Sequence, residues 1–195
     1  MGDERDFGAL ISDYFDDEKA RARLDEEHTR PAACLVADFG GAHRRAERYG
    51  VAYALALQRA AEQAFCAVFE LFEPAALRRG RTLLAVFERT ETALMAAFDG
   101  LTALNDFNGR RVDPAGLSIG LGFGELLIDP GNDAYGVEAD RAALLAHAGA
   151  LGGVLLTDSF VAALREPTFG IGIHKAPKDK IAALGLAFHV ARDYR

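Results

Sequence analysis

The sequence predicts an α+β sandwich, a mixed or antiparallel sheet flanked by helices, with a helical extension at the N-terminus. Strand-length apolar runs and helix-length periodic segments follow one another in the order β-α-ββ-α-ββ-α-β-α-ββ. Two of the strand runs are joined by a tight turn at Gly80-Arg81. Hairpins mixed with helices do not fit a simple doubly wound parallel sheet. The chain has 195 residues and half are hydrophobic, which suits one domain with a sizeable core.

Residues 1–30 form an acidic helical segment, and the main domain is expected over 31–195. In the segment Leu10, Ile11, Tyr14 and Phe15 are spaced to share one helical face, able to pack on the domain or on a partner. Pro31 ends it. Residues 34–39 read as a buried strand, broken by Gly40-Gly41. One long helix follows, with Tyr53, Leu57, Ala61, Ala64, Val68 and Phe72 as its apolar stripe and Pro74 closing it. Residues 75–79 and 82–87 are the hairpin strands. A helix over 90–105 turns Leu94, Ala97, Phe98, Leu101 and Leu104 inward, and Asn108-Gly109 stops it. Residues 117–123 alternate with glycine, and 125–129 follow as a partner strand. A helix over 136–148, a strand over 153–157 and a short helix capped by Thr157 or Asp158 come next. Residues 169–174 and 184–191 supply two last strands.

Charge and composition exclude several classes of function. A net charge of −7 argues against general nucleic-acid binding. No apolar run is long enough to insert into a membrane, and the charged N-terminus is unlike a signal peptide. Cys34 and Cys66 lie in apolar segments, as core thiols of a cytoplasmic protein do.

The generic catalytic signatures are missing. No Gly-Lys-Ser/Thr follows a glycine loop, so there is no P-loop. Gly120, Gly122 and Gly124 do not match the dinucleotide fingerprint and read as close-packing glycines. The five histidines show no metal spacing, and Ser118 and Ser159 lack a nucleophile elbow. Arg78, Arg79 and Arg81 cluster near a turn, as a solvated edge or an anion site. Asp38 stands out. It ends a buried strand and precedes Phe39-Gly40-Gly41 and a helix, a place where a carboxylate holds a divalent metal or caps the helix, and where glycine amides face phosphate.

These residues resemble a family, the class III nucleotide cyclases. Residues 35–41 (LVADFGG) look like its first metal motif, and 77–87 (LRRGRTLLAVF) like its second metal hairpin. Residues 118–127 (SIGLGFGELL) resemble its glycine-bearing strand pair, 133–145 (DAYGVEADRAALL) its base-reading and transition-state helix, and 153–157 (GVLLT) the strand after it. The blocks come in the family's order over about residues 33–165. The resemblance implies a class III nucleotide-cyclase-like sandwich with a ferredoxin-like core. It also implies conversion of a nucleoside triphosphate to a 3′,5′-cyclic monophosphate in a site shared by two chains. Two aspartates there hold two divalent ions that activate the ribose 3′-hydroxyl and neutralise the triphosphate. An asparagine and an arginine four residues apart orient the ribose and stabilise charge at phosphorus. A lysine and an aspartate read the base.

Carried over position by position, the chain keeps some of this set and loses most of it. Asp38 matches the first metal aspartate, with Gly41 the glycine three residues on, and Gly40 and Gly41 are candidate nucleotide-binding residues. Arg81 stands at the second metal position, where a guanidinium repels a cation. Leu77 replaces the base-reading lysine, while Asp133 matches the aspartate typical of adenine selection. Asp140 replaces the asparagine and Leu144 the arginine. Loss of one charge-stabilising donor typically costs ~10²–10³ in rate. The expectation is a catalytically inactive cyclase-homology protein of bacterial signalling, acting as a homodimer or through a signalling partner and needing no cofactor. One alternative is a nucleotide or anion sensor built on Gly40, Gly41 and the arginine cluster. Another is residual ATP-to-cAMP turnover with Mg or Mn, in which Asp140 joins Asp38 as a metal ligand. An ion pair between Arg81 and Asp38 in place of the metal is a further expectation.

Overall fold

A computed structural model describes residues 4–80, 82–109, 111–130, 132–149, 152–165 and 170–194. The strand at its centre is β1 (Thr29–Asp38). Its residues alternate between two cores. Ala33, Leu35 and Ala37 enter one, and Ala32, Cys34 and Val36 enter the other. A strand buried on both faces has no reason to alternate polar with apolar, so its sequence is a continuous apolar run. Burial pushes the Cys34 thiol up to about 12 and the Cys66 thiol up to about 11, so both stay protonated and inert.

The remaining strands are β2 (Ala76–Arg78), β3 (Thr82–Phe87), β4 (Ser118–Asp129), β5 (Asp133–Tyr135), β6 (Val154–Thr157), β7 (Ile171–Lys175) and β8 (Phe188–Asp193). Among the described residues they form one sheet in the order β2-β3-β1-β4-β6-β8-β7, with β5 paired to the end of β4. All pairs are antiparallel except β4 with β6, which are parallel and joined by a helical crossover. On one face lie α3 (Ala42–Tyr49), α4 (Val51–Cys66) and α5 (Thr90–Asn108), although α3 itself buries no residue. On the other face lies α6 (Val137–Ala148). Two short helices, α7 (Asp158–Ala163) and α8 (Lys178–Leu184), flank the last strands. The expected mixed sheet flanked by helices is therefore the fold.

Several expected elements are corrected. The strand expected from residue 34 begins at Thr29 and includes Pro31. Pairing of β1 with β3 starts only at Ala33, so Pro31 sits where the strand has a partner on one side alone. The single long helix is two, because Gly50 takes φ 90° between α3 and α4. The buried stripe of α4 is Ala54, Leu57, Ala61 and Phe65, with Tyr53 exposed. Residues 117–129 were expected as two strands; from Ser118 they are one strand, whose hairpin partner is β5. The helix α8 was not expected. Thr157, rather than Asp158, caps α7, its hydroxyl accepting from the Phe160 N–H.

The glycines of β4 do what close-packing glycines do. An added Cβ at Gly120 would lie 1.9 Å from the Ala142 carbonyl oxygen, and at Gly122 2.5 Å from the Glu138 carbonyl oxygen. At Gly124 it would lie 2.7 Å from Glu138 Cγ. The backbone of α6 therefore rests on the backbone of β4.

The N-terminal segment folds as two helices, α1 (Glu4–Asp13) and α2 (Glu18–Arg23), followed by one π-helical turn leading into β1. Phe7, Leu10, Ala20 and Leu24 form a small core of their own, packed with Tyr14 against Leu127 near the far end of β4. The expected face is divided: Leu10 is buried and Tyr14 half-buried, whereas Ile11, on the same helix as Leu10, is exposed and Phe15, beyond the end of α1, is 85% exposed. Gly8 lies inside α1 with open space where a Cβ would go. Gly8→Ala is expected to raise stability by up to about 1 kcal/mol in thermal denaturation, and a loss would show that the helix carries strain at this point.

Candidate functional site

The candidate residues sit at one end of β1 and along the solvent face of α6. Asp38 is the last residue of β1, paired across the sheet with Thr82 and Ser118. It lies on the same face as Cys34 and Val36, the face that α6 covers. Its Oδ2 is 3.0 Å from Nδ1 of His147, in the last turn of α6. Among the described residues the buried Ser118 hydroxyl beside it has no hydrogen-bond partner. Arg81, the residue expected to pair with Asp38, lies outside the described residues.

The donor set around Asp38 does not fit a two-metal centre. One carboxylate, one imidazole and two hydroxyl-bearing neighbours surround that turn. Among the described residues no three His, Cys, Asp or Glu side chains gather as metal ligands. Asp140 is not brought to Asp38. It is exposed, and it precedes His147 by seven residues of helix, about 10 Å along the axis.

The two positions expected to read a base are committed elsewhere. Leu77 packs against the core on the α4–α5 face of the sheet. Asp133 on β5 accepts from Arg78 on β2 at 3.0 Å, and its other oxygen accepts from the Ala134 N–H at 2.8 Å. The Asp133 carboxylate is thus engaged on both oxygens within the chain. Asp140 and Leu144, at the positions expected to serve the transition state, share one exposed face of α6, and Leu144 is 45% exposed.

Gly40 and Gly41 form the turn between β1 and α3, with Gly41 left-handed at φ 84°. Arg45 folds back over this turn. Its guanidinium donates to the Gly40 carbonyl at 2.8 Å, to Asp113 Oδ2 at 3.1 Å and to the Pro114 carbonyl. On the other side of α3 a groove of about 580 Å³ runs between α3, α4 and the β2–β3 turn. His43, Val51, Leu55, Arg59 and Arg79 line it.

Sequence reasoning missed the most elaborate polar cluster. Glu138, in the first turn of α6, is buried. It accepts from Thr157 Oγ1 at 2.8 Å, Ser159 Oγ at 2.5 Å and Arg141 at 2.6 Å. Burial alone would push its carboxyl up. The hydrogen bonds from Ser159, Arg141 and Thr157, with the charge of Arg141, outweigh burial and hold it below the usual range. In the sequence Glu138 reads as an ordinary first-turn acid. The only available signal was Thr157 and Ser159 two residues apart after a strand.

No known family profile and no curated protein matches the sequence. Solved structures do. An adenylate/guanylate cyclase/hydrolase from Silicibacter pomeroyi is similar at 19% identity, covering 86% of this chain and 98% of that one, with a TM-score of 0.62. The adenylyl cyclase CyaB from P. aeruginosa is similar at 14% identity, covering 86% and 97%, with a TM-score of 0.62. The catalytic core of a rhodopsin-guanylyl cyclase is similar at 13% identity, covering 86% and 99%, with a TM-score of 0.68. Together with the strand order and the placement of Asp38 and α6, these matches give the chain the fold of the class III adenylate/guanylate cyclase catalytic domain.

Proposed function

We propose that this chain is a catalytically silent protein of the nucleotide-cyclase fold, working in bacterial cytoplasmic signalling through a homodimer or a protein partner. On this reading residues 1–30 are an acidic helical arm on a cyclase-homology domain of residues 31–195. The observation that carries the reading is the exposed face of β5 and α6. Tyr135, Val137 and Leu144 present apolar surface there. Leu144 supplies no cation where the cyclisation chemistry needs one, and Asp140 adds a negative charge beside it. Such a face supports docking and not phosphoryl chemistry. Two further features agree with it. Asp133 is already paired with Arg78, and Asp38 faces His147. No described helix is long and apolar enough to cross a membrane.

Sedimentation velocity tests this reading. The wild type is expected to form dimers, and Leu144→Asp to weaken dimerisation by about tenfold or more by burying a charge at the interface. A wild type that stays strictly monomeric at high concentration, and a pulldown with no partner lost on Leu144→Asp, would together reject it. Cyclic AMP formed from ATP with Mn²⁺, and abolished by Asp38→Ala, would replace it with a working cyclase.

The groove lined by His43, Arg59 and Arg79, with Glu62 the one acid among them, supports a second reading, a nucleotide sensor without turnover. Calorimetric titration with a non-hydrolysable ATP analogue separates the two. Metal-independent binding lost on Arg79→Glu supports the sensor, and no heat with or without Mn²⁺ rejects it.

A further inference from the structure

On the side of α3 away from the groove, Gly41, Arg44, Arg45, Arg48, Tyr49 and Asp113 surround a pocket of about 250 Å³. The two cavities lie on opposite faces of one helix. At 100° per residue, positions 42, 43 and 46 point one way and 44, 45 and 48 the other. We infer that this second pocket binds a small phosphate-bearing anion.

Charge is the first argument. Three guanidiniums face one carboxylate. Asp113 is taken by Arg45, whose side chain is 14% exposed and which also bonds the Gly40 and Pro114 carbonyls. Among the described residues neither Arg44 nor Arg48 forms an ion pair, so the pocket holds an excess of two positive charges in a chain of net charge −7. Placement is the second. Arg44 and Arg48 are four residues apart, a spacing at which like charges on a helix repel. Arg44 and Arg48 are both exposed, so no core contact explains why these two sit together. An anion between them removes the repulsion and adds charge-assisted bonds. A phosphate dianion matches both the excess charge and the fork geometry of guanidinium. Arg45, held on three acceptors, is the rigid wall of the pocket; Arg44 is exposed beside it, and Arg48 lies over the Tyr49 ring, 5.1 Å from its centroid.

Calorimetry on the full chain at constant ionic strength tests this with inorganic phosphate, pyrophosphate and AMP as probes. Saturable binding is expected, weakened about tenfold by Arg44→Gln or Arg48→Gln and lost in the double variant. Both side chains are exposed, and circular dichroism confirms that the variants fold. Arg79→Gln, in the groove on the other face, is expected to leave binding intact, so this site and the sensor reading fail separately. Tighter binding of AMP than of phosphate identifies a phosphomonoester as ligand, and equal or weaker binding the free anion. No phosphate-specific heat, binding undiminished in the double variant, or binding lost on Arg79→Gln overturns the proposal.

Discussion

Gly120→Ala is expected to destabilise the protein by at least about 3 kcal/mol, at or beyond the upper end for overpacked cores. The added methyl would lie 1.9 Å from the Ala142 carbonyl oxygen, 2.8 Å from its carbon and 2.9 Å from the Ala146 nitrogen. All three atoms are backbone, so no rotamer change relieves the contact. Either α6 lifts from β4 or β4 bends, and either movement opens the core that holds Ala139, Ala142 and Ala146. For a domain of this size the melting temperature should fall by roughly 6–12 °C. Gly122→Ala should cost less, since its nearest neighbour is 2.5 Å away. A Gly120→Ala protein within about 1 kcal/mol of wild type in chemical denaturation would show that α6 does not bear on the strand.

Glu138→Ala should cost about 2–4 kcal/mol, because it strips charge-assisted bonds from Thr157 and Ser159 and leaves both hydroxyls without this acceptor. The Arg141 share is small, since that side chain is 48% exposed and screened by solvent. The carboxyl is held below its usual value of 4.5 in the folded protein. Its contribution is therefore full above 4.5 and is lost as pH falls through the lower folded value. Glu138→Gln keeps the volume and removes the titration. Wild type should thus lose its advantage over Glu138→Gln as pH falls below 4.5. A stability difference between the two that is constant with pH would show that the carboxylate charge contributes nothing.

The sequence shows clearly those elements whose side chains report their own surroundings. The core of β1 is a doubly buried apolar run, α5 has a helical period with a stop at Asn108-Gly109, and the β2–β3 hairpin is marked by its turn. Where backbone conformation or distant partners decide, the sequence says less. Gly50 looks like one more residue of a helical pattern until its left-handed φ divides it. Gly124 reads as a strand end, yet the strand continues, because the glycine serves the Glu138 side chain above it and not a turn. Pro31 reads as a stop, but one unpaired strand side tolerates it. Within the candidate site, Asp38, Leu77, Asp133, Asp140 and Leu144 are placed by motif order alone. What each one touches is not. His147 is 109 residues from Asp38, and Thr157 and Ser159 reach Glu138 only because α6 crosses between β4 and β6.

The length of β1 has a mechanical consequence. Thr29 pairs with Leu127, against which the N-terminal helices pack, while Asp38 pairs with Ser118 at the other end. Ten residues of paired strand without a bulge or hinge lie between, a rod of about 30 Å. The N-terminal arm and the Gly40-Gly41 turn are therefore held at a fixed spacing by one continuously paired strand, and no hinge along β1 lets either end move by itself.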